Sequence, residues 1–211
     1  MDALTRMDRR TPSVQRTTMI ETLQRTSAPL SLLSYRLLDE SQCSRLIEEC
    51  ASLPRRDGLI YGLFGGGARD PARYKAREVF IDLMPPFDWL RPVLQPALVA
   101  CLDHFRIPGL VAAEMPRLLT YEVGGHFAWH VDAPPGHGRV LGRPSRQITA
   151  SIQLSHPEDY VGGDLLVKVD GEVKTAPRAR GNVVMFPAEW EHQASPVESG
   201  TRVALVFWGY A

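Results

Sequence analysis

At Pro108-Gly109 this chain changes its periodicity and does not change back. Before that point Trp89, Leu90, Val93, Leu94, Ala97, Leu98, Cys101, Leu102 and Phe105 recur at the three-four spacing of one helix stripe. Pro96 is expected to kink or divide that helix. An earlier helix is expected to carry Cys43, Leu46, Ile47 and Cys50 on one face, with Asp39 or Ser41 able to cap it and Pro54 to stop it. Ahead of it, Tyr35-Arg36-Leu37-Leu38 reads as a strand. After Gly109 come five β-rich runs, at 118–123, 148–154, 164–169, 182–186 and 203–208, with Gly and Pro clusters between them. Helices first and strands afterwards predict an α+β chain, its N-terminal helices packed on one sheet of a sandwich or barrel.

With 211 residues, 44% of them hydrophobic, the chain is long enough for one well-buried core and short for two. Residues 1–28 are rich in Arg, Thr and Ser and read as a flexible or loosely docked arm, leaving 29–211 as the folded domain. A formal net charge of +0 gives no broad electrostatic footprint, so neither nucleic acid nor a membrane is expected as a partner. No apolar run reaches bilayer-spanning length and the N-terminus lacks a secretory core. Cys43, Cys50 and Cys101 cannot all pair internally and read as buried thiols. Together these features predict a cytoplasmic protein.

The chemistry concentrates in His130-Val131-Asp132, in His192 sixty residues beyond Asp132, and in Arg202 ten residues further on. Residues i and i+2 of an extended segment share a side, so His130 and Asp132 can face one metal ion. Two imidazoles and one carboxylate can occupy one face of octahedral Fe(II), leaving positions for a chelating co-substrate and dioxygen. Arg202 offers a planar fork of donors for a terminal carboxylate. Between His192 and Arg202 lie turn formers at 195–200, which predict a hairpin that sets Arg202 roughly opposite His192 on one ladder.

The stretches that carry these residues resemble a known family. They are Tyr121-Glu-Val-Gly-Gly-His-Phe-Ala-Trp-His130-Val-Asp132, Ile148-Thr-Ala-Ser-Ile-Gln-Leu154, Gly162-Gly-Asp-Leu165, Arg180-Gly-Asn-Val-Val-Met-Phe186, His192 and Thr201-Arg-Val-Ala204. The family is the prolyl 4-hydroxylase-like group of iron(II) and 2-oxoglutarate dioxygenases, which includes the PKHD-type hydroxylases. The resemblance implies a double-stranded β-helix, or jelly roll, with iron between its two sheets. It implies His130, Asp132 and His192 as iron ligands and catalytic residues, and Arg202 with Tyr121 as the 2-oxoglutarate site. Gln153 falls where relatives place another side chain near the same carboxylate. Ascorbate enters as an accessory reductant. The implied reaction hydroxylates an unactivated C–H bond of an amino acid, related small metabolite or peptidyl side chain, with succinate and CO2 as co-products. A non-catalytic, metal-containing jelly-roll binding module is the alternative.

Several further residues are candidates for the substrate pocket. On a helix, His126 and His130 would suit a zinc site; the strand-like context makes His126 a pocket or loop residue instead. Trp208 shares a strand face with Arg202, and Trp190 stands two before His192. Residues 58–77 have no periodicity, contain Tyr61, Phe64 and three consecutive glycines, and read as a substrate lid. Six Lys or Arg against two Asp in 55–77, with Arg139, Arg143 and Arg146 in 133–147, predict an anionic small-molecule or peptide substrate.

Overall fold

A computed structural model of the chain describes residues 31–61, 67–109, 112–133, 139–140 and 143–210. The expected arm at 1–28 lies outside them, as do Phe64 and its neighbours at 62–66. In chain order the principal elements are β1 (Leu33–Arg36), α1 (Glu40–Ala51), β2 (Tyr74–Lys75), β3 (Arg77–Phe80), α2 (Arg91–Phe105), β4 (Arg117–Tyr121) and β5 (His126–His130). They continue with β6 (Arg146–Gln153), β7 (Leu165–Val169), β8 (Glu172–Thr175), β9 (Asn182–Pro187), β10 (His192–Ala194) and β11 (Arg202–Tyr210).

Asp39 caps α1. Its Oδ1 accepts the Gln42 amide at 2.8 Å while Gln42 Oε1 accepts the Asp39 amide at 2.9 Å, so two orphan donors of the first turn are satisfied reciprocally. The strand ahead of it is Leu33–Arg36 rather than 35–38, because the amides of Leu37 and Leu38 both turn to the Gly181 carbonyl. Pro96 does not divide α2, which runs unbroken from Arg91 to Phe105 and ends on Arg106 in a left-handed conformation. A proline removes one intrahelical amide, and the buried face Leu94, Ala97, Leu98, Cys101, Leu102 and Phe105 holds the helix across that gap.

The larger sheet has eight strands. Its path is β1-β9-β6-β11-β4-β3 with the short strand Arg56–Asp57 at the edge, while Ala112–Ala113 extends the end of β11. The smaller sheet has five strands in the order β8-β7-β10-β5-β2. Every pair is antiparallel. One face of the larger sheet packs on the helices: Ile148, Ile152, Leu205 and Phe207 share a core with Leu46 of α1 and Leu98 of α2. Its other face turns toward the smaller sheet, and the two enclose a cavity of about 960 Å³.

The connection from β10 to β11 is a sheet crossing. After Ala194 the chain pairs Val197–Gly200 with Tyr160–Gly162 and then enters the larger sheet, where Arg202 lies opposite Tyr121. The expected hairpin between His192 and Arg202 therefore does not form. Gly200 permits the crossing: at φ +74° it takes a backbone conformation that disfavours side chains, and a Cβ there would stand 2.0 Å from the Asp159 carbonyl oxygen. The long apolar run 202–210 finds its two main partners, β6 and β4, in the larger sheet.

Candidate active site

His130 closes β5 and His192 opens β10, and the two residues are directly opposite in the ladder, their ring centroids 4.2 Å apart. Each ring is held the same way. Nδ1 of His130 lies 2.8 Å from the Ala128 carbonyl and Nδ1 of His192 lies 2.9 Å from the Trp190 carbonyl. A carbonyl oxygen can only accept, so Nδ1 carries the proton and Nε2 presents its lone pair. Burial first, then the neighbouring His192 ring, hold the His130 imidazole down to about 4, which keeps that lone pair open near neutrality.

Asp132 lies just beyond the end of β5 rather than within it, in a bend fixed by its amide and that of Ala133, both donating to the Ala188 carbonyl. Its Oδ2 accepts from Thr149 Oγ1 at 2.6 Å and from Trp208 Nε1 at 2.8 Å. Oδ1 stands 3.9 Å from His130 Nε2, and Oδ2 stands 3.4 Å from His192 Nε2. Burial alone would raise this carboxyl, but His192, Arg146 and His130 outweigh it and hold it well below the usual carboxylate range. One ligand atom from each of the three residues lies within 4.8 Å of the others, so the group could hold one metal ion. Two lone pairs and a carboxylate converging on one point are stabilised by a divalent cation, and this nitrogen-oxygen donor set suits Fe(II).

Arg202 lines the same cavity, on the larger sheet. It is 4% exposed, donates through Nε to Gln153 Oε1 at 3.1 Å and stands 5.3 Å from the Tyr121 ring centroid. No carboxylate of the described residues forms an ion pair with it. Burial pushes the Tyr121 phenol up to about 12 despite Arg202, so it remains a hydrogen-bond donor. A buried guanidinium beside a protonated phenol, on a cavity shared with a metal triad, is suited to holding the far carboxylate of a small diacid.

Residues 116–210 match the 2OG-Fe(II) oxygenase superfamily. A PKHD-type hydroxylase from Xanthomonas campestris is 32% identical over 182 residues, covering 82% of this chain and 75% of that protein. The chain belongs to the 2OG-Fe(II) oxygenase superfamily, with PKHD-type relatives. It spans 42% of a PKHD-type hydroxylase from Hyphomonas neptunium, 35% identical over 94 residues, and 51% of one from Paraburkholderia phymatum, about half the length of these curated relatives. Two solved structures share the oxygenase fold. A Pseudomonas putida prolyl-4-hydroxylase is 16% identical, with a TM-score of 0.62, over 85% of this chain and 91% of that one. A Trichoplax adhaerens prolyl hydroxylase, solved with a hypoxia inducible factor peptide fragment, is 14% identical, with a TM-score of 0.67, over 85% and 83%.

Within this oxygenase fold the remaining sequence candidates separate. Trp208 lines the cavity and binds Asp132, its ring lying between the guanidinium of Arg146 at 3.8 Å and that of Arg117 at 4.9 Å. Arg146 also lines the cavity, but its Nε and Nη2 donate to Glu114 at 2.7 and 2.8 Å, so its charge is already paired. Trp190 turns the other way, packing edge-on against Phe105 of α2 at 5.5 Å instead of flooring the pocket. His126 does not line the cavity either: its two ring nitrogens lie 3.0 Å from the carbonyls of Gly124 and Ala72. Tyr61 ends a short strand paired with Gly67–Ala68, and its side chain lies outside the described residues, as does that of Arg143.

The segment expected to be an aperiodic lid is partly paired, through Ile60–Tyr61, β2 and β3. Two of its arginines, Arg69 and Arg77, bind Asp57, while Arg73 lines the cavity. Sequence reasoning passed over Thr149, Glu78, Glu114 and Phe127. Thr149 carried a signal, because Thr149, Ser151 and Gln153 alternate with apolar residues in a strand otherwise fit for burial. Glu78 carried none, since a lone acid in a short strand ordinarily faces water.

Proposed function

We propose that this chain is an iron(II)- and 2-oxoglutarate-dependent dioxygenase that hydroxylates a C–H bond of an amino acid, a related small metabolite or a peptidyl side chain. The observation that carries this reading is the pairing, in one cavity, of the His130, Asp132 and His192 triad with a buried Arg202 that has no carboxylate of its own among the described residues. His130 and His192 would bind iron through Nε2, each oriented by the carbonyl two residues earlier. Asp132 would supply Oδ1, because Thr149 and Trp208 occupy Oδ2. Arg202 and Tyr121 would orient 2-oxoglutarate by its far carboxylate, and the apolar walls at Leu119, Phe127, Leu165 and Phe186 would exclude water. Bound iron supplies the chemistry with dioxygen that couples decarboxylation of 2-oxoglutarate to succinate and CO2 with oxygen insertion into the substrate.

The test begins without oxygen. Protein given Fe(II), 2-oxoglutarate and ascorbate should develop the weak visible charge-transfer band of the chelate, and admission of air should yield succinate. His130→Ala and Asp132→Ala should lose both signals. A wild-type protein that forms neither the band nor succinate is not this enzyme.

A further inference from the structure

Among the described residues four carboxylates line the cavity, and three are accounted for. Asp132 faces the metal position. Glu114 accepts from Arg146 twice, from Arg117 at 3.1 Å and from the Tyr210 hydroxyl at 2.6 Å. Glu191 binds Lys168 at 2.6 Å with its side chain 49% exposed. Glu78 differs. Its side chain is 3% exposed, Oε1 accepts a single hydrogen bond from the Tyr74 hydroxyl at 2.7 Å, and Oε2 has no hydrogen-bond partner among the described residues. Arg117 Nη1 stands 3.8 Å from Oε2, an ion pair without a hydrogen bond, and that arginine is shared with Glu114, to which its Nη2 donates. A carboxylate oxygen on the cavity wall that accepts no hydrogen bond from the protein is free to accept one from a bound N–H group. Burial raises the Glu78 carboxyl above its usual range, against the opposing effects of Tyr74, Arg117 and Arg146.

Its placement relates it to the reacting centre. Glu78 pairs with Leu119 across β3 and β4, between the positions of Arg117 and Tyr121. The ring of Tyr74, whose hydroxyl binds Glu78, stacks on Phe127 at 4.0 Å, and Phe127 stacks on His130 at 3.5 Å. Two ring layers thus separate the Glu78 carboxylate from a metal ligand.

Resting on the dioxygenase reading above, we infer that Glu78 is the recognition group for a cationic substrate, an ammonium or guanidinium carried several bonds from the carbon presented to the metal. Basic amino acids, free or within a peptide, have this form. The anionic substrate expected from the basic loops loses one of its supports, because Arg146 is paired with Glu114. Glu78 provides the site with the opposite preference.

The experiment uses the full chain with Fe(II), 2-oxoglutarate and ascorbate, and a panel matched in shape: L-lysine, L-arginine and L-ornithine against L-norleucine, L-citrulline and L-glutamate, each free and as the N-acetyl amide. Cationic members should stimulate succinate formation above the uncoupled rate and gain one oxygen by mass spectrometry. Glu78→Gln should raise KM for the stimulating compound about ten-fold or more, the loss of a charge-assisted hydrogen bond, with uncoupled succinate formation within about two-fold of wild type. Glu78→Asp retains the charge and should keep the cation preference, which guards against a Gln variant that folds poorly. Calorimetric titration of the stimulating compound into protein with Zn(II) and 2-oxoglutarate should show the same ten-fold weakening without turnover. Stimulation by neutral or anionic members, equal KM in wild type and Glu78→Gln, or silence across the panel overturns the inference. Uncoupled turnover in the wild type would in each case leave the dioxygenase reading standing.

Discussion

The two sheets hold their functional side chains by different means. On the smaller sheet, His130 and His192 are each oriented by the carbonyl two residues earlier, at 2.8 and 2.9 Å, the first within its own strand and the second in the bend that leads into it. Contacts on the larger sheet reach across the sequence: Asp132 is held by Thr149 and Trp208, 17 and 76 positions away, and Arg202 is held by Gln153, 49 positions away. Local orientation follows from strand geometry once a histidine sits at the right position. Distant orientation requires the larger sheet to assemble and, for Asp132, the smaller sheet to close on it, so the carboxylate and the clamp depend on the tertiary fold more than the imidazoles do.

The strongest way to break this contrast is at the clamp. Arg202→Gln should raise KM for 2-oxoglutarate about 100-fold, because a bidentate charged contact is replaced by at most one neutral hydrogen bond. Fe(II) affinity, read by anaerobic titration, should stay within about two-fold if the two sheets act independently. A parallel loss of metal affinity would show that the clamp also shapes the triad.

Next in size is the Glu114 network, which ties β6 to β11 through Arg146 and Tyr210. Burial opposes ionisation of Glu114, but the hydrogen bonds and charge of Arg146, the Tyr210 hydroxyl and Arg117 together lower its pKa below the ordinary 4.5. A depressed carboxyl contributes stability that is present above its unfolded pKa and disappears as pH falls through its folded one. Glu114→Gln should therefore cost about 2 kcal/mol near pH 7 by urea unfolding, and the deficit should shrink below pH 4.5. A deficit that does not change with pH would mean that packing, not charge, accounts for the loss.

Trp208→Phe probes the carboxylate alone. It removes the Nε1 donor to Asp132 while leaving a ring between the two guanidiniums, and should weaken Fe(II) binding about ten-fold, as loss of an outer hydrogen bond to a ligand commonly does. Anaerobic titration followed by the chelate band reads this directly. Unchanged affinity would mean that Thr149 suffices to orient Asp132.

The same contrast explains what could be read in the sequence. His130, Asp132, His192 and Arg202 were legible as types at particular spacings, and the β-rich runs and the Asp39 cap were legible from period and propensity. What could not be read depended on which sheet receives a strand. The turn formers at 195–200 fit a hairpin as well as a crossing, and only the pairing of β11 with β6 and β4 decides between them. Trp190 and Trp208 looked alike as aromatics near ligands, yet one packs on α2 and the other binds Asp132. The pairing of Arg146 was illegible for a similar reason, because Arg146 and Glu114 are 32 positions apart and nothing local pairs them.

The smallest expected effect lies far from the site and tests the local end of the comparison. Asp39→Ala removes the cap of α1, whose Cys43, Leu46 and Cys50 pack into the core behind the larger sheet. Loss of a side-chain cap should lower unfolding free energy by about 1 kcal/mol, since one orphan amide of the first turn loses its acceptor. KM for 2-oxoglutarate and Fe(II) affinity should not move, because this cap bonds only within its own turn. If metal affinity fell along with stability, α1 would be transmitting strain through the larger sheet to Asp132, and the separation between locally and distantly held groups would fail at the helix layer as well.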